Sequence, residues 1–301
     1  MVEEHTEAPR GTRYEISSGS MLLHRSGTGG PPVVFLAGGG MSGLYYWKVH
    51  DLVAEFTTSV IYDRLGLGWS DTVDLPRSGT QVTDDLHELL HVAGVPGPRV
   101  LVAHSLGGLY ARLYAKRFPG EVTALVLLDP THENIVDYLS TEKAQRLQDS
   151  NTDDLVPPGQ LDTMRTTYRA ALSRALADWP AAIREPLLDK GFGRAGFRQS
   201  LREPMNLPRL FSEVRDAGPD PDIPLTFVSA MGADTIAQEL VPPEAHAALD
   251  ESNQTKYRLY TDLAAALPDA EVRRLDDVGH SGMAWLRPDA VVQAIRDTLS
   301  R

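Results

Sequence analysis

The chain has 301 residues and a formal net charge of −12, from 41 Asp and Glu against 29 Lys and Arg. Such an acidic chain repels phosphate backbones, so nucleic acid is not an expected partner. The sequence contains no cysteine, which excludes a thiol nucleophile, a disulfide framework and a thiolate metal site. Hydrophobic residues at 42% and charged residues at 23% are typical of a globular protein with a buried core.

Residues 1–12 are predicted to form a loose tail, because they are polar and show no periodicity. They also lack the apolar stretch of a secretory signal. The longest apolar runs, such as 122–128, have the length of a strand and fall far short of the roughly 20 residues that span a bilayer. We therefore expect a cytoplasmic protein without a membrane span. Nothing in the sequence indicates an oligomeric state.

Alternating strand and helix patterns predict an α/β fold with a mostly parallel, eight-stranded sheet covered by helices on both faces. Short apolar runs indicate the strands, and apolar residues at helical spacing indicate the helices between them. The predicted strands are 14–16, 21–24, 33–37, 60–62, 100–103, 124–128, 225–230 and 271–275, and the predicted helices are 80–93, 106–118, 256–267 and 288–299.

This alternation stops after residue 130 and resumes near residue 223. The intervening stretch has almost no strand signal but contains helical patterns at 141–148, 161–177 and 181–188. We therefore predict a core domain made of residues 13–130 and 223–301. Residues 131–222 would form a helical cap inserted into it.

A nucleophile elbow is predicted where the strand RVLVAH runs through Ser105 directly into a helix. A serine on such a sharp turn exposes its Oγ, and the next backbone amide points towards the oxyanion that develops during attack. Close approach of strand and helix requires small residues two positions before and after the serine. Ala103 and Gly107 meet this requirement, although Ala103 departs from the usual GxSxG pattern.

With the segments FLAGGGMSG and LDDVGHSGM in the matching order, the chain resembles α/β-hydrolase-fold esterases and lipases over essentially its whole length. The resemblance implies that the backbone amides of Gly39 and Leu106 form an oxyanion hole. It also implies that His280 is the general base, on a loop between the last strand and the last helix. Ala37 stands where the family often has a histidine that braces the oxyanion loop.

The segment IYDRLGLGWSD resembles the DRxGxGxS loop of the same family. We interpret Asp63 and Arg64 as structural residues that tie loops together. Trp69 is interpreted as a packing residue in preference to one that reaches the substrate pocket.

Two carboxylates compete for the role of the acid that orients His280. Asp129 follows one strand in LLDPTHE, which resembles a subset of these hydrolases. Asp234 follows the next strand, where most relatives carry the acid, but its spacing from Gly232 is one residue shorter than usual. Parallel strands end side by side, so geometry allows both. We favour Asp129 and keep Asp234 as the alternative.

The string HELLH at 87–91 matches the zinc-protease pattern HExxH. The extended pattern needs a histidine at position 97, which is a glycine in this chain. The polar residues of the string also alternate with leucines. We therefore interpret His87, Glu88 and His91 as the solvated side of a helix, and we predict no metal. The loop GGGMSG likewise lacks the spacing of a nucleotide-binding loop.

The resemblance implies a serine hydrolase that cleaves a small-molecule carboxylic ester or lactone through an acyl-enzyme, without a cofactor. Thioester, amide or peptide, and carbon–carbon bond hydrolysis on the same triad are the alternatives. A further alternative is a ligand-binding protein of the same fold with little turnover. An intact set of serine, histidine and acid favours the enzyme.

Overall fold

The computed structural model describes residues 7–149 and 159–301, and its centre is one eight-stranded sheet in the order β1-β2-β4-β3-β5-β6-β7-β8. β2 pairs antiparallel with β1 and with β4, and the other neighbours are parallel. This confirms the predicted mostly parallel sheet. The strands are β1 (Thr12–Ile16), β2 (Gly19–Ser26), β3 (Val33–Leu36), β4 (Ser59–Tyr62), β5 (Arg99–His104), β6 (Val122–Leu128), β7 (Leu225–Ala230) and β8 (Ala270–Leu275).

The inner strands β3 to β7 are largely apolar without alternation, because both faces of the sheet are buried there. Successive side chains of a strand point to opposite faces, and β3 shows the result. Val33 and Phe35 enter one hydrophobic cluster, whereas Val34 and Leu36 enter the other. Helices close both clusters, as the sequence predicted. The helices outside the insertion are α1 (Trp47–Ala54), α2 (Gly79–Val92), α3 (Leu106–Arg117), α9 (Thr235–Leu240), α10 (His246–Ala266), α11 (Met283–Leu286) and α12 (Pro288–Leu299).

The segment between β6 and β7 is helical, as predicted, within its described residues. Its helices are α4 (Thr141–Asp149), α5 (Leu161–Ala175), α6 (Ala181–Phe192), α7 (Arg194–Arg202) and α8 (Leu207–Asp216), with short 3₁₀ turns at Glu133–Tyr138 and Glu203–Asn206. α5, α6 and α7 pack on one another in succession. α8 instead packs against α2 and α3, and its Leu210, Phe211 and Val214 join the core cluster. By packing, α8 belongs to the core layer although it lies inside the predicted cap range.

The N-terminal segment is anchored where the structure describes it. Ala8 packs against the hydrophobic core, and Arg10 forms an ion pair of 2.6 Å with Asp51. β1 begins at Thr12. Residues 1–6 of the predicted tail lie outside the described residues, and residues 7–11 are held in place where a loose tail was expected. None of the helices described here is long and apolar enough to cross a bilayer.

Candidate active site

Ser105 occupies the single-residue turn between β5 and α3. Its φ of 51° lies in the left-handed region, which non-glycine residues seldom adopt. Backbone hydrogen bonds hold the turn: Ser105 N donates to Leu128 O at 3.2 Å, and Thr131 N donates to Ser105 O at 2.9 Å. The turn therefore presents the Ser105 side chain at the carboxyl edge of the sheet, as the elbow pattern predicts.

Glycine at position 107 is required by a close backbone approach between α3 and β3. A Cβ added to Gly107 would lie 2.4 Å from Leu36 O and 2.7 Å from Ala37 O. These acceptors are backbone atoms that cannot rotate away. The small residue after Ser105 thus has the steric origin that the sequence pattern suggested.

The structure brings Ser105, His280 and Asp129 together. His280 Nε2 lies 3.0 Å from Ser105 Oγ, and His280 Nδ1 lies 2.6 Å from Asp129 Oδ2. In this arrangement the ring donates Nδ1–H to the carboxylate and offers Nε2 to the serine hydroxyl. A serine, an imidazole and a carboxylate linked in this order can activate the hydroxyl as a nucleophile.

Asp129 is fully buried at the turn after β6, with a φ of 42°. Burial alone would raise the pKa of its carboxyl group. The positive charge of Lys256, together with the hydrogen bond and charge of His280, more than offsets burial and holds this pKa well below its usual range. Asp129 is therefore ionised at neutral pH and can stabilise an imidazolium.

Backbone strain in the described part of the chain coincides with this cluster. Ser105 and Asp129 are the non-glycine residues with positive φ among the residues that the structure describes. Strained backbone persists where the surrounding structure over-determines it, and it concentrates at functional sites. The coincidence favours a functional role for both residues.

The alternative acid, Asp234, uses its carboxylate oxygens for contacts other than the His280 ring. Its Oδ2 accepts hydrogen bonds from the amide and the hydroxyl of Ser281, each at 2.8 Å. Its Oδ1 accepts from Ala237 N at 3.0 Å and so caps α9. Asp234 therefore braces the loop that carries His280, whereas Asp129 contacts the ring itself.

The two residues expected to form the oxyanion hole, Gly39 and Leu106, are in close contact. A Cβ on Gly39 would lie 3.2 Å from Leu106 Cδ2, so the loop after β3 touches the start of α3. Within the residues that the structure describes, neither the Gly39 nor the Leu106 amide donates a hydrogen bond to the protein. Leu106 N also lies at the positive end of the α3 dipole, which favours a developing negative charge.

A buried ion pair between Arg64 and Glu203 braces the loop after β3. Ala37 of this loop stands where relatives often have a bracing histidine. Arg64 donates to Ala37 O and to Gly38 O, each at 2.7 Å. Glu203 accepts from Arg64 Nε at 2.5 Å and from Gly40 N at 2.6 Å. Burial would lower the pKa of Arg64, but Glu203 more than offsets it, so this pKa is raised and the guanidinium stays charged. The sequence assigned Arg64 a structural role but did not reveal Glu203.

Asp63 and Trp69 act as expected for structural residues. Asp63 Oδ1 accepts from Ser42 Oγ at 2.6 Å and from Gly43 N at 2.8 Å. Its Oδ2 accepts from Trp69 N at 2.8 Å. The Trp69 side chain is buried in the core cluster. The DRxGxGxS segment therefore links the loop after β3 to the loop after β4.

His104, which precedes Ser105, supports the His280 loop and was not singled out from the sequence. Its Nε2 lies 2.9 Å from His280 O, and the two rings are 4.6 Å apart. Burial, followed by the charge of His280, lowers the pKa of His104 to about 3. His104 is therefore neutral and donates Nε2–H to the carbonyl oxygen.

Lys256 is a third site residue, after Glu203 and His104, that sequence reasoning missed. It lies on α10, and its Nζ contacts Asp129 Oδ2. The sequence predicted a helix from residue 256, whereas α10 begins at His246. No local motif marks Lys256, because only the packing of α10 beside the β6 turn brings it to Asp129.

The HELLH string lies on α2 and its residues serve other contacts. Glu88 accepts from Ser17 N at 2.8 Å, and the ring of His87 stacks on Phe118 at 4.1 Å. His91 is exposed. Across residues 7–149 and 159–301, no group of three or more histidine, cysteine or acidic side chains is arranged to hold a metal ion.

Comparison with known families identifies this architecture. The model of the alpha/beta hydrolase family matches residues 33–294. The chain belongs to the alpha/beta hydrolase family. This match confirms the family that the sequence resembles.

Individual relatives are more distant. The chain is 32% identical over 123 residues to the cis-3-alkyl-4-alkyloxetan-2-one decarboxylase of Shewanella oneidensis. The aligned region is 39% of this chain and 38% of that protein. The matches span less than half the length of the curated relatives.

Solved structures share the fold at low sequence identity. Cfl2 from Burkholderia cenocepacia superposes with a TM-score of 0.71 at 19% identity, covering 95% of this chain and 94% of that one. The enol-lactonase from Burkholderia xenovorans LB400 superposes with a TM-score of 0.62 at 17% identity, covering 96% of this chain and 100% of that chain. Family and fold together show that this protein has the alpha/beta-hydrolase architecture.

Proposed function

We propose that this hydrolase is a serine esterase or lactonase that works through an acyl-enzyme on Ser105. The observation that carries the proposal is the linked geometry of the site, with His280 Nε2 at 3.0 Å from Ser105 Oγ and His280 Nδ1 at 2.6 Å from Asp129. Both distances fall within hydrogen-bond reach, as nucleophilic catalysis requires.

The reaction would proceed by two acyl transfers. His280 Nε2 accepts the proton of Ser105 Oγ while that oxygen attacks the substrate carbonyl carbon. The Gly39 and Leu106 amides donate to the resulting oxyanion. Collapse breaks the bond to the leaving oxygen, which takes the proton from His280. Water then attacks the acyl-enzyme with His280 again as base, releasing the acid and restoring Ser105.

Asp129 supports both steps without accepting a proton itself. Its carboxylate fixes the tautomer of His280 in which Nε2 is free to accept a proton, and its charge stabilises the imidazolium. This chemistry is complete with the side chains and amides of the chain plus water. No cofactor enters the proposal.

Esters and lactones are favoured as substrates for two reasons. The enol-lactonase named above shares the fold over nearly the whole chain. The Shewanella relative is named for an oxetan-2-one, which is itself a cyclic ester. These likenesses support an ester-like carbonyl as the reacting group of the substrate.

We further propose that α5, α6 and α7 form a cap that selects the substrate. The end of α7 and the turn after it lie against the candidate oxyanion loop. A Cβ on Gly40 would lie 2.5 Å from Ser200 O, and one on Gly39 would lie 3.5 Å from Pro204 Cβ. Side chains of this segment would therefore lie next to the carbonyl oxygen of a bound substrate.

Turnover of a substrate panel tests the proposal. We expect release of p-nitrophenol from short-chain p-nitrophenyl esters and ring opening of lactones, each abolished in Ser105→Ala. Hydrolysis of thioesters or amides with no measurable turnover of esters and lactones would replace the proposed substrate class. Tight binding of such compounds without any turnover would favour a ligand-binding protein.

A further inference from the structure

We propose that Lys256 is a positioning residue of the catalytic site: it shares the Asp129 carboxylate with His280 and thereby sets the acid limb of the pH dependence of activity. The inference rests on the proposed function and deepens it. Lys256 Nζ contacts Asp129 Oδ2, the same oxygen that lies 2.6 Å from His280 Nδ1. Two cationic partners thus compete for one oxygen whenever His280 is protonated.

The lysine is held in place by its helix. One turn further along α10, Tyr260 Oη donates to Pro130 O at 2.6 Å, directly beside Asp129. The Tyr260 ring stacks on Phe227 of β7 with centroids 5.2 Å apart. The Lys256 side chain is only 16% exposed, so its ammonium group is not a mobile surface charge.

The groups that face Asp129 come from several elements. His280 approaches from the loop after β8, His104 from the end of β5, and Lys256 and Tyr260 from α10. Tyr260 is uncharged, since burial, followed by the charge of Asp129, raises its pKa well above the usual value. His104 is neutral with a pKa of about 3. Asp234, after β7, directs its carboxylate to Ser281.

Lys256 therefore places its ammonium group on the carboxylate oxygen that His280 also contacts, with neutral His104 and Tyr260 nearby. The carboxylate is fully buried, so charge interactions around it are weakly screened. A positive charge on Asp129 Oδ2 offsets part of the negative charge that the carboxylate presents to the imidazole. Removal of the Lys256 charge is therefore expected to move the acid limb of activity to higher pH.

The test compares Lys256→Met, which removes the charge, with Lys256→Arg, which keeps it. One readout is the pH dependence of kcat/KM on a p-nitrophenyl ester. We expect the acid limb of Lys256→Met to move to higher pH by about one unit, the size expected for one neighbouring charge. Lys256→Arg should restore the acid limb to within a few tenths of a unit of wild type.

A second readout does not depend on turnover. The titration of the His280 ring can be followed by NMR in the Ser105→Ala protein, with and without Lys256→Met. The same upward movement of the midpoint is expected. If the protein hydrolyses no ester, the proposed function fails, yet this titration still decides the role of Lys256.

Lys116→Met is a matched control for loss of a buried lysine. Lys116 is 4% exposed and lies 3.4 Å from Asp220, far along α3 from Ser105. It should lower stability but leave the pH profile and the His280 midpoint at wild-type values. An unchanged acid limb and His280 midpoint in Lys256→Met would overturn the proposal, as would an equal movement in Lys256→Arg. Lys256→Gln replaces Lys256→Met if that variant does not fold.

Discussion

Arg64 and Glu203 form a buried ion pair that joins the loop after β4 to the segment after α7. Their side chains are 4% and 3% exposed, and Arg64 Nε lies 2.5 Å from Glu203 Oε1. Both partners also hold the backbone that flanks Gly39, since Arg64 binds Gly38 O and Glu203 binds Gly40 N. The position of the candidate oxyanion hole therefore depends on a residue contributed by the insertion.

Removing Glu203 should damage both stability and catalysis. Glu203→Ala leaves the Arg64 charge buried without a partner, which costs about 3 to 5 kcal/mol of unfolding free energy. Glu203→Gln keeps an acceptor and should retain more activity. We expect kcat to fall more than KM rises, because a displaced Gly39 amide affects mainly the transition state. Urea unfolding and ester kinetics measure the two effects.

The control for this change is the exposed ion pair between Arg174 and Glu239, with side chains 60% and 41% exposed. Glu239→Ala should change stability by less than about 1 kcal/mol and leave kcat unaltered, because exposed pairs contribute little. Equal losses in Glu203→Ala and Glu239→Ala would contradict the assigned role of Glu203.

The acid of the triad is tested by two matched amide substitutions. Asp129→Asn removes the charge beside His280 and favours the wrong tautomer, and a change of this kind costs about 10⁴ in turnover in a serine protease. Asp234→Asn should cost less than tenfold, with a loss of about 1 kcal/mol from weakened bonds to Ser281 and Ala237. The reverse ranking would transfer the role to Asp234. Circular dichroism verifies that both variants are folded.

We predict that the free energy of unfolding falls on mild acidification, because several histidines are buried in their neutral form. Burial lowers the pKa of His50 and His104 to about 3, and that of His132 well below 6.5. In the unfolded chain these rings take up protons below pH 6.5, so the unfolded state binds more protons and is favoured as pH falls.

The expected loss is about 1 kcal/mol per histidine for each pH unit below 6.5. Urea unfolding at pH 7 and pH 5.5 measures it. Carboxyl groups whose pKa is lowered by folding affect the free energy of unfolding only below about pH 5.5, so they do not contribute to this difference. His50→Gln should reduce the slope, and a free energy of unfolding that does not change between these pH values would refute the argument.

Metal chelation should leave activity unchanged. The HELLH residues make packing and surface contacts: Glu88 accepts a hydrogen bond from Ser17 N, and the His87 ring stacks on Phe118. The double variant His87→Gln, His91→Gln should likewise retain activity within about twofold. Inactivation by EDTA with recovery on adding zinc would reverse this interpretation.

The fold was predictable from sequence because buried parallel strands leave short apolar runs that local patterns reveal. The predicted strand 225–230 matches β7, and the predicted helix 288–299 matches α12, whose first residue is Pro288. α1, α7, α8, α9 and α11 were missed. α7 and α8 are strongly amphipathic but lie within an insertion that was assigned only in part, and α8 packs against α2 and α3, which are distant in sequence.

The candidate site was predictable only where its residues sit in contiguous motifs. Ser105, Gly39 and His280 follow from local patterns with fixed order along the chain. Asp129 and Asp234 follow neighbouring strands, so the sequence did not decide which of them orients His280. Their hydrogen bonds distinguish them, since Asp129 contacts the His280 ring and Asp234 contacts Ser281. Glu203 and Lys256 carry no local signal, since tertiary packing alone brings them to Arg64 and Asp129.

The most direct test of the catalytic account is labelling with a fluorophosphonate, which reacts with activated serine hydroxyls, followed by mass spectrometry of the modified peptide. The account predicts one adduct, on Ser105, formed by the wild type and absent from Ser105→Ala, together with loss of nearly all ester hydrolysis in that variant. An adduct on another serine, or Ser105→Ala activity within tenfold of wild type, would contradict the account.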